Sequence, residues 1–226
     1  MPVANTEAAT APRPGDRLDA AASALVSRPA FWFAAIGLLA AWPVVWALRS
    51  PLPPPLPVLA TLPPFQLTDQ DGASFGSREL QGKVWVASFI FTRCTTVCPA
   101  ITAKMARIQD RMRNLEPAFR LVSFSVDPAF DTPPRLAEYA RAHRASPRLW
   151  TFLTGPEEAV QDAVVKGLKE TMGREAPAAG APQGILHGTH LVLVDARGRV
   201  RGYYESDAPD VVDRVVRDAA LLVNRG

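Results

Sequence analysis

Two cysteines lie four positions apart in residues 91–99, FTRCTTVCP, and they are the only cysteines among the 226 residues of the chain. The segment follows a continuous apolar run, Val84–Phe91, which is typical of a strand covered on both faces. Pro99 favours a helix that begins just before it, because proline suits the first helical turn and is costly in a helix interior. Cys94 is therefore expected in a loop and Cys98 on the first helical turn, where the positive helix end favours thiolates at both.

This cysteine spacing suits either a disulfide or the binding of one metal ion. Two soft thiolates select Cu(I) over hard cations, and a third ligand would normally be an imidazole. Of the three histidines, His143 lies among arginines near a predicted helix end and is expected to be solvated. His190 fits one face of a predicted strand, whereas His187 ends a flexible loop, as a ligand that approaches and leaves a bound ion would require. The spacing favours His187 and leaves His190 as the alternative.

Strand-like and helix-like patterns alternate through the part of the chain that must position these residues. This alternation, ending in a hairpin and a helix, predicts an α/β sandwich with a mixed central sheet. A segment rich in glycine, alanine and proline, residues 173–184, is expected to be a loop. After the first strand, the predicted elements are a helix at 98–115, a strand at 121–126, a helix at 133–144, a strand at 149–153, a helix at 156–169, strands at 191–195 and 200–205, and a helix at 209–224.

Residues 30–48, AFWFAAIGLLAAWPVVWAL, contain no charged or strongly polar side chain. A helix of this length spans about 30 Å, the thickness of the hydrocarbon core of a bilayer, so a single transmembrane helix is predicted. A cleavable signal peptide is the alternative, but the segment begins far from the N-terminus and no small-x-small site follows it.

The flanking segments predict the domain layout and the orientation. Residues 1–29, rich in alanine, proline and threonine, are expected to be disordered, and residues 49–64 hold seven of the 22 prolines and predict an extended spacer. Three arginines precede the span within about 20 residues and only Arg49 follows it, which predicts a cytoplasmic N-terminus. Residues 65–226 would then form an exported domain.

The charge balance excludes a nucleic-acid function. The chain has 25 Lys and Arg against 22 Asp and Glu, and residues 1–64 hold four of these bases and three of these acids. The remaining residues therefore carry a surplus of only two positive charges, without a basic run that could follow a phosphate backbone.

Four segments are similar to the Sco/SenC family of membrane-tethered copper chaperones: FTRCTTVCP at 91–99, SVDPAFDTP at 125–133, LTG at 153–155 and HGTHLVLVDARGRVRGYY at 187–204. The resemblance implies a thioredoxin-like fold and one copper ion, Cu(I) or Cu(II), bound by Cys94, Cys98 and His187. The family places its histidine eight residues before the position of Asp195, which selects His187 over His190. The chain departs from many members at Leu186, where they carry aspartate, and at Val192, where they carry an aromatic residue.

Two aspartates lie in the loop DPAFDTP, which borders the copper site in the family. Asp131, with Thr132 as the alternative, is expected to cap the helix that begins at Pro133. Asp127 is the candidate for a residue that contacts a copper ligand rather than the ion itself.

The resemblance implies copper delivery to the CuA centre of cytochrome c oxidase subunit II, a function that is not enzymatic in the usual sense. It also implies a single-pass protein of the bacterial inner membrane with its C-terminal domain in the periplasm, and a periplasmic copper donor as a further partner.

The alternative is a membrane-tethered thiol–disulfide oxidoreductase that reduces the CuA cysteines through Cys94 and Cys98. Against that alternative, CxxxC is not the CxxC of thioredoxins, and no proline lies between Gln183 and Leu191, where such oxidoreductases carry theirs. A peroxiredoxin-like peroxidase would need a proline at position 91, which is phenylalanine.

Overall fold

The structure is a computed structural model that describes residues 26–49, 54–174 and 185–225, without the side chains of residues 174 and 185–187. Its contacts divide the chain into two units, residues 1–54 and 55–226. The predicted disorder at residues 1–29 falls largely outside the described residues, since these begin at residue 26. Residues 50–53 of the predicted spacer and residues 175–184 of the predicted loop also lie outside them.

The first unit contains helix α1, Pro29–Arg49. This helix is 21 residues long, contains Pro43 and buries none of its side chains. It is long and apolar enough to cross a membrane, and its bounds agree with the predicted span within one residue at each end.

The second unit is built on a mixed eight-stranded sheet whose strand order is β1-β10-β9-β4-β5-β6-β2-β3. Strands β4, β5 and β6 are parallel to one another, and every other neighbouring pair is antiparallel. Strands β7 and β8 form a separate two-stranded hairpin. The strands are β1 (Ala60–Thr61), β2 (Gln66–Asp69), β3 (Ser74–Gly76), β4 (Val84–Ile90), β5 (Phe119–Ser125), β6 (Trp150–Thr154), β7 (Met172–Arg174), β8 (Ile185–His187), β9 (His190–Val194) and β10 (Arg199–Glu205).

Helices connect the strands much as the apolar periodicity predicts. The predicted helix at 156–169 is divided between a short α-helix and a π-helical turn, a difference that apolar periodicity does not reveal. The helices are α2 (Cys98–Met112), which continues in a 3₁₀ turn (Arg113–Leu115), α3 (Pro133–Ala142), α4 (Glu157–Gln161), which continues in the π turn (Asp162–Gly167), and α5 (Val211–Arg225).

Strand β4 is the centre of the sheet and of the core. All seven of its residues are buried, as its unbroken apolar sequence predicts. It pairs in parallel with β5, from Val84 opposite Phe119 to Ile90 opposite Ser125, and antiparallel with β9. Helix α2 packs on β4, β5 and α5, and its buried face includes Ile101, Met105, Ile108 and Met112. These methionines are therefore core residues.

The strand directions bring three segments to one edge of the sheet. Because β4 and β5 are parallel, their carboxyl ends lie side by side. Because β9 runs antiparallel to β4, its first residue, His190, lies toward the same edge. The last residue of β10, Glu205, is paired with His190 there. The segment containing the cysteines, the loop after β5 and the connection from β8 to β9 thus lie at this edge.

Candidate metal centre

The turn between β4 and α2 carries both cysteines. Helix α2 begins at Cys98, with Pro99 in its first turn, so the predicted positions of the two cysteines are confirmed. Cys94 lies before the helix, where its backbone N–H donates to the carbonyl of Phe91 at 3.1 Å. The backbone N–H of Cys98 points at Cys94 Sγ from 3.5 Å, and both residues are thiols rather than a disulfide.

The two thiols are in electrostatically different environments. Burial raises the pKa of Cys94, but hydrogen bonds from Cys98 and Thr96 outweigh burial and leave that pKa below its ordinary value. Burial also raises the pKa of Cys98, which is fully enclosed, and its pKa stays well above the ordinary value. The prediction that the helix end favours both thiolates is therefore wrong for Cys98, because desolvation outweighs the helix dipole there.

Asp131 does not cap α3, contrary to the prediction. The N-cap position is Thr132, and no side chain makes a cap hydrogen bond there. The buried carboxylate of Asp131 instead accepts hydrogen bonds from the Thr92 hydroxyl at 2.5 Å, the Thr92 backbone N–H at 3.1 Å and the Ser125 hydroxyl at 2.6 Å. Burial raises the pKa of Asp131, although these hydrogen bonds oppose the effect. Asp131 thus ties the loop after β5 to the segment that leads to Cys94.

Asp127 is linked to the cysteine turn through Arg93. One oxygen of the buried Asp127 carboxylate accepts from Arg93 Nε at 2.8 Å and lies 2.7 Å from Arg93 Nη2. The Arg93 guanidinium also lies 4.6 Å from the centre of the Phe130 ring. Because Arg93 directly precedes Cys94, the ion pair restrains the backbone on which that thiol is carried.

The structure describes the three candidate histidines to different extents. His187 is the last residue of β8, where it is paired with Met172, but its side chain lies outside the description. His190 has Nδ1 2.8 Å from Glu170 Oε1 and Nε2 3.1 Å from Glu205 Oε1, so carboxylates occupy both of its ring nitrogens. This arrangement disfavours His190 as a metal ligand. His143 is half-buried against the Tyr139 ring, at 4.4 Å between ring centres, rather than fully solvated, and burial lowers its pKa.

Within the described residues, no group of three or more His, Cys, Asp or Glu side chains is arranged to hold a metal ion. The two thiols are suited to supply two of the ligands of a soft-metal site, since sulfur ligands select Cu(I). Completing such a site requires a further donor, for which His187 stays the prediction.

Two polar groups at this edge were not anticipated from the sequence. The contact of Asp131 with Thr92 joins positions 39 residues apart in the chain, whereas its other partner, Ser125, is only six residues away. Glu170 lies in a sequence that resembles an exposed helix end, Leu168-Lys-Glu, and yet it is buried. No local sequence signal indicates that burial.

A mixed sheet whose central strand leads through a paired-cysteine turn into a helix defines a protein of the thioredoxin-like class. The sequence profile of the SCO1/SenC family matches residues 56–220, and the chain belongs to that family. It is 32% identical over 159 residues to the SCO1 protein homolog of Bacillus subtilis, covering 69% of this chain and 79% of that protein. It is 30% identical over 152 residues to a putative copper-binding protein of Stutzerimonas stutzeri, covering 66% and 71%.

Solved structures of Sco proteins share the fold. A SCO1/SenC family lipoprotein from Bacillus anthracis superposes with a TM-score of 0.64 at 34% identity, over 72% of this chain and 95% of that one. BsSco, a member of the Sco family of cytochrome c oxidase assembly proteins, gives 0.64 at 29% identity over 76% and 98%. The copper-bound ScoI of Bradyrhizobium japonicum gives 0.61 at 23% identity over 72% and 99%, a likeness that concerns the fold alone.

Proposed function

We propose that this chain is a membrane-anchored copper chaperone that binds one copper ion through Cys94, Cys98 and His187. The observation that carries the proposal is the placement of two thiols at the strand-to-helix turn, at the same sheet edge where the strand after His187 begins. The similarity to a relative described as a putative copper-binding protein supports the choice of metal. Copper is the cargo of the protein, so binding and release replace a catalytic turnover.

The difference between the two thiols suits such a role. Cys94, whose pKa is lowered, is the thiol that more readily becomes a thiolate and first captures Cu(I). Cys98 must then lose its proton in an enclosed site, which the positive charge of the bound ion favours. Asp127 acts indirectly, by holding Arg93 beside Cys94.

The client in this proposal is the CuA site of cytochrome c oxidase subunit II, and the donor is a periplasmic copper carrier. The link of BsSco to oxidase assembly supports the client. Helix α1 would anchor the chain in the bacterial inner membrane, with residues 1–29 in the cytoplasm, residues 49–64 as a spacer and residues 65–226 in the periplasm. Tethering the domain to the membrane of its client raises its effective concentration there.

The test uses the full chain in detergent, reduced and free of oxygen, with Cu(I) titrated against a chromogenic competitor. The expected result is one tightly bound Cu(I), weakened by His187→Ala and by either cysteine-to-serine change. His190→Ala serves as the matched histidine control and is expected to weaken binding less than His187→Ala does. Weak binding that ignores both histidines would refute the chaperone assignment.

A second candidate function is thiol–disulfide reduction of the client cysteines. The lowered pKa of Cys94 and the raised pKa of Cys98 resemble the division between an attacking thiol and a buried resolving thiol. In that reaction the Cys94 thiolate attacks the client disulfide, and Cys98 then displaces the client thiol, leaving a Cys94–Cys98 disulfide and a reduced client. Trapping a mixed disulfide between the Cys98→Ser variant and a disulfide-bonded subunit II fragment tests it, with Cys94→Ser as the control that should trap nothing.

A further inference from the structure

The hairpin that carries His187 stands apart from the main sheet. Among the residues that the structure describes, strands β7 and β8 pair only with each other, from Met172 opposite His187 to Arg174 opposite Ile185. The hairpin is closed at its base by the N–H of Gly188, which donates to the carbonyl of Thr171 at 2.8 Å. The position of His187 relative to the cysteine turn therefore depends on what holds this base.

Glu170 lies under the base and is nearly fully buried, with 6% of its surface exposed. A Cβ atom added to Gly188 would lie 1.6 Å from Glu170 Oε2, so the carboxylate occupies the space that any side chain at position 188 would need. Glu170 is therefore packed directly against the residue that follows His187.

His190 connects Glu170 to the main sheet. Its Nδ1 is 2.8 Å from Glu170 Oε1 in an ion-pair contact that is not aligned as a hydrogen bond, and its Nε2 is 3.1 Å from Glu205 Oε1. Glu205 ends β10 and is the strand partner of His190. A neighbouring contact reinforces this connection, because the Tyr203 hydroxyl donates to the carbonyl of Leu168 at 3.1 Å.

These three side chains form a bridge of close polar contacts rather than a second metal site. The carboxylates of Glu170 and Glu205 contact different nitrogens of the same imidazole, so they lie on different sides of the ring. One ion bound at either nitrogen could not also reach the other carboxylate. Each ring nitrogen of His190 instead faces one of the two acids, Nδ1 that of Glu170 and Nε2 that of Glu205.

We propose that Glu170 is a positioning residue for copper binding: through Gly188 and the bridge Glu170–His190–Glu205, it fixes the base of the β7–β8 hairpin and so presents His187 to the two thiols. The proposal rests on the proposed role of His187 as a copper ligand. It assigns to His190 the function of holding the hairpin rather than that of a copper ligand. Residues that orient a metal ligand commonly change metal affinity by about 10–100-fold when altered.

The test is a double-mutant cycle on the full chain in detergent, combining Glu170→Gln with His187→Ala. Cu(I) affinity is measured by competition, and nitrogen hyperfine coupling of bound Cu(II) reports the imidazole ligand. Glu170→Gln is expected to weaken Cu(I) binding about tenfold in the parent and less than about twofold in the His187→Ala background. Glu205→Gln, which removes the exposed acid of the same bridge, is the matched variant and should have a smaller effect in the same direction.

A second measurement does not depend on copper. Hydrogen exchange of the Gly188 amide in the metal-free protein should become faster in Glu170→Gln, while amides of β4 keep the parent rates. Should Glu170→Gln not fold, Glu205→Gln takes its place. Its effect on Cu(I) affinity is then measured in the parent and in His187→Ala, and hydrogen exchange at Gly188 is measured in the same way. With either variant, faster exchange at Gly188 together with His187-dependent weakening supports the proposal.

The outcomes separate this proposal from the proposed function. Equal weakening by Glu170→Gln with and without His187 would mean that Glu170 acts on the fold and not through His187, which overturns the positioning role. An unchanged affinity in Glu170→Gln, beside a weakened His187→Ala, overturns positioning alone and leaves the ligand assignment standing. An unchanged affinity in His187→Ala overturns the ligand assignment, and this inference falls with it.

Discussion

Arg93, the residue directly before Cys94, forms an ion pair with Asp127. One oxygen of the Asp127 carboxylate lies 2.7 Å from Arg93 Nη2, and the Asp127 side chain is only 1% exposed. The pair joins the loop after β5 to the turn after β4. It therefore links the stability of the domain to the placement of a proposed copper ligand.

Replacing Arg93 tests that link. Arg93→Ala removes the guanidinium described beside the buried carboxylate of Asp127, and we expect the free energy of unfolding to fall by about 1–3 kcal/mol. Urea unfolding of the reduced, metal-free protein measures the change. Arg135→Ala is the matched control. Arg135 also stacks on the Phe130 ring, but its described hydrogen bond, to the Phe130 carbonyl, is exposed to solvent. A loss for Arg135→Ala as large as that for Arg93→Ala would contradict the importance of the ion pair.

The two cysteines should react at different rates. Because the pKa of Cys94 is lowered and that of Cys98 is raised, iodoacetamide should alkylate Cys94 faster by at least about tenfold near neutral pH. Mass spectrometry of peptides from the briefly treated, reduced protein measures both rates. The Cys94→Ser variant controls for access to Cys98, which should stay slow. Equal rates at the two positions would show that their environments do not differ as described.

Asp131 should make stability depend on pH in a particular direction. Burial raises the pKa of Asp131 above its ordinary value, so the folded state binds a proton at a higher pH than the unfolded state does. The carboxylate form therefore costs stability at neutral pH, and this cost disappears as the pH falls through the raised pKa toward the unfolded value of about 3.9.

The Asp131→Asn variant isolates that effect, because other acidic groups titrate equally in both proteins. The free energy of unfolding of the parent, minus that of Asp131→Asn, should increase as the pH is lowered across this window. Denaturant unfolding at a series of pH values provides the measurement. A difference that decreases on acidification would mean that the hydrogen bonds from Thr92 and Ser125 dominate over burial.

The pair Tyr204–Asp218 should stabilise the packing of α5 on the sheet. The Tyr204 hydroxyl donates to Asp218 Oδ2 at 2.8 Å, and both side chains are buried. Tyr204→Phe removes the donor and leaves the acid with one partner fewer, so we expect a loss of about 1–2 kcal/mol in thermal or urea unfolding. Tyr203→Phe removes a hydroxyl that is only half-buried and should cost less, whereas equal losses would argue against the buried pair.

The central elements could be predicted because their sequence patterns are strong and local. The apolar run of β4, the amphipathic pattern of α2 and Pro99 together located both cysteines correctly. The hairpin of β9 and β10 was also predicted, and Gly198 in its turn has a positive φ of +72°, which glycine adopts without strain.

The short elements could not be predicted, because their stability comes from distant partners. Strand β1 has two residues and exists through pairing with β10, and β2 is held between β3 and β6. Asp131 was expected to make a local cap because that hydrogen bond is close in sequence, but its actual partner, Thr92, is 39 residues away. The burial of Glu170 depends in the same way on Gly188, a residue beyond the hairpin.

Strand β1 would have a mechanical consequence in a domain that helix α1 tethers to a membrane, as proposed for this chain. It is the first strand after the proline-rich segment, it lies at an edge of the sheet, and only Ala60 and Thr61 pair with β10. Tension along such a tether would act first on the bonds from Arg201 to the carbonyls of Leu56 and Pro57, and then on β1 and the flanking backbone hydrogen bonds from Leu59 and Leu62. Releasing residues 54–61 would add about 25 Å of extended chain to the spacer, while β4, β5 and the cysteine turn stayed intact.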